Sequence, residues 1–218
     1  VEVRNQDLLR RREDRRRLGH HDDVAQERDL PVAIHAAYNI HEVFDIIREH
    51  QMTSVELLRE VGLMSDKLNI GHGNFTCDNP LMNYSGSHDL EIMGSHHCSI
   101  SHCPVNVARR GRFLDSWETY RKAGVNIALG TDTYPRDMIL QMRNASYFGK
   151  VASRSLKAAT AAQVFEAASL GGAHTVGRDD IARKNVLRPR LVEGHFQLVA
   201  FQRLDRAVAE FLVEDPVA

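Results

Sequence analysis

His35, His72 and Asp132 stand at the polar ends of three short apolar runs, PVAIH, LNIGH and NIALGTD, and His102 closes a fourth, CSISHC. Imidazole nitrogens and a carboxylate oxygen are donors that zinc or a similar divalent ion takes at a catalytic site, where protein ligands leave one position open for water. Water bound in this way becomes hydroxide near neutral pH, which is hydrolytic chemistry. Placed at the C-terminal ends of successive parallel strands, these side chains would meet at one rim, as active-site groups do in a β/α barrel. A single histidine at a strand end is more often a hydrogen-bonded structural group. Three of them and an aspartate in register are harder to dismiss.

The elements that must position these groups are legible from Pro31 onward. PVAIH reads as a strand, and HEVFDIIREH then places Val43, Phe44 and Ile47 on one helical stripe. TSVELLREVG opens with Thr53 and Glu56 at capping-box spacing. LNIGH is the next strand, followed by the polar loop FTCDNPLMNYSGS and a short helix in HDLEIMGSH. CSISHCP is the third strand, and FLDSWETYRKAG carries Phe113, Trp117 and Tyr120 on one face, with Gly124 where a left-handed helix cap belongs. VNIALGTD, apolar almost throughout, is the fourth strand, suited to burial on both faces of a parallel sheet. DMILQMRNASYFGKVAS and TAAQVFEAASLGGAHTVG follow as helices, the second opening with a box from Thr160 to Gln163. Strand and helix units in series predict an α/β fold with a parallel sheet, either half a barrel or a small open sheet. Polar residues ending every strand favour the barrel, because a doubly wound sheet gathers its site at one switch point.

At 218 residues, 43% of them hydrophobic, the chain can bury a core, and its net charge of −1 gives no general attraction to nucleic acid or to an anionic membrane. A small molecule is therefore the expected partner, with no nucleic acid and no membrane. Residues 1–30 form a charged arm, read as a solvated helix or as disorder, whose arginines alternate with Asp and Glu. No apolar run approaches the roughly 20 residues of a membrane helix. Cys77, Cys98 and Cys103 cannot all pair with one another, and no signal-peptide pattern opens the sequence, so a cytoplasmic location is expected. Strand alternation sets Cys98 and Cys103 on opposite sides, which disfavours a structural zinc site and favours small buried apolar groups. The basic run Arg109, Arg110 and Arg112 is read as a solvated loop, with the orientation of an anionic group as its alternative. Tyr134 and Arg136, in the loop after NIALGTD, are candidates for substrate contact.

The block from His35 to Asp132 resembles the amidohydrolase superfamily, in the branch that holds cytosine, guanine and adenosylhomocysteine deaminases and the triazine chlorohydrolases. IHAAYNIHE, IGHGNF, SISHCPVNVARRGRF and AGVNIALGTDTYPRDM carry the likeness, over roughly residues 30 to 180. It implies a partial (β/α)8 TIM barrel, strands 5 to 8, over residues 31–180, and a tail over 181–218 in which the family's small sandwich is not recognisable. It implies a metal-dependent hydrolase acting on C–N or C–Cl bonds of a heterocyclic small molecule, with zinc as the first choice of metal and iron or manganese as the others. His35 would be a metal ligand, and Asp132 both a ligand and the base that accepts a proton from water. His72 would face that water or the substrate, or hold a second metal, and His102 would lie at the rim near the substrate. The family's His-x-His pair of strand 1 has no counterpart here. Tyr38 stands where the family has a glutamate shuttle, and Glu42, one turn on, is the substitute for it. These departures lead to the expectation of a truncated or frame-shifted copy. The alternative is an inactive half-barrel remnant or interaction protein, self-associating through open edges and an apolar inner sheet face.

Overall fold

A computed structural model of the protein describes residues 27–178 throughout, together with Ala25, Asp180 and the backbone of the short strands Glu2–Val3, Arg190–Val192 and His195–Gln197. Five parallel strands form the main sheet in chain order: β1 (Glu2–Val3), β2 (Val32–Ala36), β3 (Leu68–His72), β4 (Ser99–His102) and β5 (Asn126–Leu129). The remaining strands, β6 (Arg190–Val192) and β7 (His195–Gln197), form a separate antiparallel pair. The four strands expected from the sequence are thus present, with one more ahead of them. The reading of residues 1–30 as a helical or disordered arm does not hold for Glu2 and Val3, whose backbone pairs in parallel with Ala33 and Ile34. Residues 4–24 of that arm and most of the 181–218 tail lie outside the described residues.

Register explains how one sheet serves two purposes. Ile34, Ile70, Ile100 and Ile127 are cross-strand partners in one row. All four are buried in the main core. On the opposite face lie the rows Ala33, Asn69, Ser99, Asn126 and His35, Gly71, Ser101, Ala128, because successive side chains of a strand alternate. The expected apolar inner face is therefore corrected: the face opposite the isoleucine row carries small and polar side chains. Asn69 donates to Ser101 Oγ at 2.9 Å and Asn126 to Ser99 Oγ at 2.9 Å, so these polar groups are satisfied without a partner chain.

The helices cover the isoleucine row. They are α1 (Ile40–His50), α2 (Ser54–Glu60), α3 (Asp89–Ser95), α4 (Pro104–Arg109), α5 (Trp117–Ala123), α6 (Met138–Ser153) and α7 (Ala161–Glu166). The last continues through a π-helical turn, Ala167–Gly171, into α8 (Gly172–Thr175). Both expected capping boxes are present, at Thr53 and Thr160, and Gly124 caps α5 at φ 88°. Two stripe assignments are corrected. In α1 the buried residues are Glu42, Val43 and Ile46, while Phe44 faces solvent, since an i, i+3 pair rather than the adjacent aromatic meets the core. Phe113 lies before the α5 cap, Ser116, and is exposed; Leu114 is buried in its stead, along with Trp117 and Tyr120. Among the described residues no helix is long and apolar enough to cross a membrane.

Candidate active site

The C-terminal ends of β2, β3 and β5 bring His35, His72 and Asp132 together. His35 lies opposite Gly71 in the β2–β3 register, and a Cβ on Gly71 would sit 2.3 Å from His35 Cδ2. The missing side chain is what lets the His35 ring lie across β3. Its centroid is 5.3 Å from that of His72. His72 has the parity of Ile70, but its left-handed φ of 78° breaks the strand's alternation. Its ring then stacks at 4.3 Å on Tyr38 as well. Asp132 is also left-handed, at φ 53°, and so is Ala37 directly after β2, at φ 51°. Such conformations cost a branched or polar L-residue of order 1–3 kcal/mol and collect where function demands a particular side-chain direction.

His72 Nε2 lies 3.8 Å from Asp132 Oδ2. Burial pulls the His72 pKa down from 6.5 to about 4; the Asp132 charge opposes this and His35 adds to it. His72 is thus neutral at pH 7, and the contact is not an ion pair. It sets an imidazole beside a carboxylate. The His72 Nδ1 is buried without a hydrogen-bond partner. Asp132 Oδ2 in turn accepts a hydrogen bond from the Asn106 side chain on α4. Gln141 of α6, fully buried, accepts from the Val105 backbone at 3.1 Å and so fixes the start of α4 that carries Asn106. Asn106 belongs to the His-Cys-Pro-x-Asn segment, but neither it nor Gln141 stands out by local pattern as an anchor of Asp132.

The other expected site residues separate. His102 shares the face of Ile100, is 2% exposed and meets Trp117 edge-on at 6.3 Å, so it is turned to the helix layer rather than to the open face. Burial first, and His72 second, pull its pKa down to about 3. Glu42 is corrected as a proton shuttle. Its carboxylate accepts from the backbone N–H groups of Ala37, Tyr38 and Asn39 at 3.0, 3.1 and 3.4 Å, and it forms a capping box with Asn39. It is a buried anchor of the β2–α1 turn, not a helix-surface acid. Tyr134 is 84% exposed, and its backbone carbonyl accepts from Arg109 at 2.6 Å; Arg136 is exposed on the same loop. Cys98 and Cys103 are buried and unpaired, with pKa values pushed up to about 11 and about 12 chiefly by burial.

In kind, His35, His72 and Asp132 suit a divalent ion: neutral imidazoles, one with a buried unpartnered nitrogen, and a carboxylate. They do not close round one. Among the described residues no group of three or more His, Cys, Asp or Glu side chains is placed to hold a single ion.

The architecture defines the class, a parallel β/α sheet with its polar groups gathered at the C-terminal strand ends. The chain belongs to the amidohydrolase family, whose profile matches residues 20–182. It is 30% identical over 160 residues to the 5-methylthioadenosine/S-adenosylhomocysteine deaminase of Halobacterium salinarum, covering 72% of this chain and 35% of that relative. It is similar in structure to an adenosine deaminase from Xanthomonas campestris with bound zinc, at TM-score 0.67 and 24% identity, covering 76% of this chain and 37% of the other. An atrazine chlorohydrolase from Arthrobacter aurescens TC1, complexed with zinc, matches at TM-score 0.64 and 18% identity, with 76% and 36% coverage. The chain therefore spans little more than a third of the length of these proteins.

Proposed function

We propose that this protein is a deaminase-like hydrolase of heterocyclic small molecules, in which His35, His72 and Asp132 form one side of the reaction centre. The observation that carries this reading is the convergence of these three side chains, from three different strands, at one sheet edge. The names of the relatives add the substrate class, an adenosine-like amine, with a chlorinated triazine as the variant. In the overall reaction, the oxygen of water bonds to the ring carbon, the C–N bond breaks and ammonia leaves with the proton that water gives up. Asp132 is the base for that proton, with its orientation fixed by Asn106. Neutral His72 offers an imidazole to the substrate or the attacking water. His35, His72 and Asp132 would be this chain's contribution to a zinc site, with iron or manganese as alternatives, and the metal would supply Lewis acidity. Tyr134 and Arg136, on the exposed loop beyond Asp132, are the proposed substrate contacts.

The test is product release by the zinc-supplemented protein: ammonia from 5-methylthioadenosine and S-adenosylhomocysteine, chloride from atrazine. Ammonia above the protein-free rate supports the deaminase reading, and chloride alone moves it to a chlorohydrolase. The open donor set favours one other reading, a silent half-barrel that self-associates through the edges of β1 and β5. Release of neither product, with oligomers in solution, would establish that reading and overturn the first.

A further inference from the structure

A pair of cations stands at the rim with no assigned role. Arg110 Cζ lies 4.8 Å from the centre of the Tyr38 ring, and Arg112 Cζ lies 4.9 Å from that of Phe75. The turn after α4 sets this spacing: the N–H groups of Arg110 and Arg112 both donate to the Val107 carbonyl, at 3.1 and 3.2 Å, with Gly111 between them at φ 70°. Their two platforms are themselves neighbours, because Phe75 N–H donates to the carbonyl of Ala37, the residue before Tyr38, at 2.9 Å. Phe75 is fixed from below by a small core of Ala37, Val43 and Met82. The Tyr38 ring also lies 4.3 Å from the His72 ring, tilted by 33°. Arg110 and His72 thus share Tyr38 as a neighbour.

Arg110 is exposed and Arg112 partly so, as a solvated loop requires, yet each guanidinium lies against an aromatic ring. A guanidinium stacked on a ring keeps its in-plane N–H edge free, and the stacking prepays part of the ordering that a bidentate contact needs. None of the ion pairs among the described residues involves Arg110 or Arg112. Two weakly hydrated cations, held in place and unneutralised beside a reaction centre, are suited to a carboxylate or phosphate oxygen pair.

We propose that Arg110 and Arg112 bind a carboxylate or phosphate carried by the substrate, beside the Tyr38 ring that also contacts His72. The inference rests on the functional reading above and selects, within it, the anionic members of the substrate class. Calorimetric titration of the full chain with three ligands tests it: 5-methylthioadenosine with no anionic group, S-adenosylhomocysteine with a carboxylate, and adenosine 5′-monophosphate with a phosphate. At least one anionic ligand should bind about tenfold to a hundredfold more tightly than 5-methylthioadenosine. The double substitution Arg110→Gln with Arg112→Gln should erase that advantage and leave 5-methylthioadenosine affinity within about twofold. Unchanged affinity for the uncharged ligand also reports that the variant is folded. An advantage confined to one anionic ligand supports the pair and names carboxylate or phosphate as its anion. If 5-methylthioadenosine binds but no anionic advantage exists, or the advantage survives in the double variant, the inference is wrong while the functional reading stands. If the unmodified protein binds none of the three, both are overturned.

Discussion

Two faces of the same sheet, written by alternate residues of the same strands, do different work. The helix-facing row of Ile34, Ile70, Ile100 and Ile127 is branched, apolar and buried. The opposite rows hold Ala, Asn, Ser, Gly and one histidine, tied by Asn69–Ser101 and Asn126–Ser99 hydrogen bonds. Burial of an isoleucine is worth about 1.5–3 kcal/mol, whereas a side-chain hydrogen bond contributes about 0.5–1.5 kcal/mol net. The fold is therefore held chiefly from the helix side. The other side carries His35 at its strand end, where the His72 ring and, through His72, Asp132 lie close by.

The strongest way to break this contrast is Ile100→Ala, which should cost about 2–5 kcal/mol in urea unfolding. A loss below about 1 kcal/mol would mean that the helix-facing row does not hold the sheet. Gly71→Ala comes next and acts on the other face. The new methyl meets the His35 ring, so the ring must leave its place across β3. The expected outcome is about 1–3 kcal/mol of destabilisation together with loss of ammonia release. Full activity would show that the His35 position is immaterial.

His102 sharpens the comparison, as a titratable group on the helix side. Burial depresses its folded pKa from 6.5 to about 3. Below pH 6.5 the unfolded chain takes up a proton that the folded chain refuses, so the stabilisation is complete above that pH and is lost as the pH falls. The slope for one such histidine is at most about 1.4 kcal/mol per pH unit. His102→Phe should flatten the acid limb of the stability profile, and an unaltered profile would place His102 in solvent. Smallest is Asn69→Ala, which should cost no more than about 1.5 kcal/mol. A larger cost would make the open face a structural one.

Much of this was legible locally. Thr53, Thr160 and Gly124 mark helix ends through contacts within a few residues, and the strand-end positions of His35, His72 and Asp132 are visible in the apolar runs before them. Phe44 and Phe113 depart from the stripes that helical spacing predicts, because the phase of α1 buries Val43 and Ile46, and α5 begins only after its cap at Ser116. Glu42 carries the Asn-x-x-Glu spacing of a capping box, and that signal explains its carboxylate better than a shuttle does. Asn106 and Gln141 act across 26 and 36 residues of chain, where no periodicity reaches. The Arg110 and Arg112 stacking depends on two loops meeting through Phe75 and Ala37, again a tertiary fact.

The proposed hydrolysis at the strand-end cluster and a fold held from the opposite face should separate on a single substitution. Asp132→Asn tests this most directly, through kcat/KM for ammonia release from 5-methylthioadenosine measured beside urea unfolding. The expected result is a fall of at least about a hundredfold with stability changed by less than about 1 kcal/mol. Activity kept within a few-fold of the unmodified protein, or no ammonia release from either protein, would contradict it.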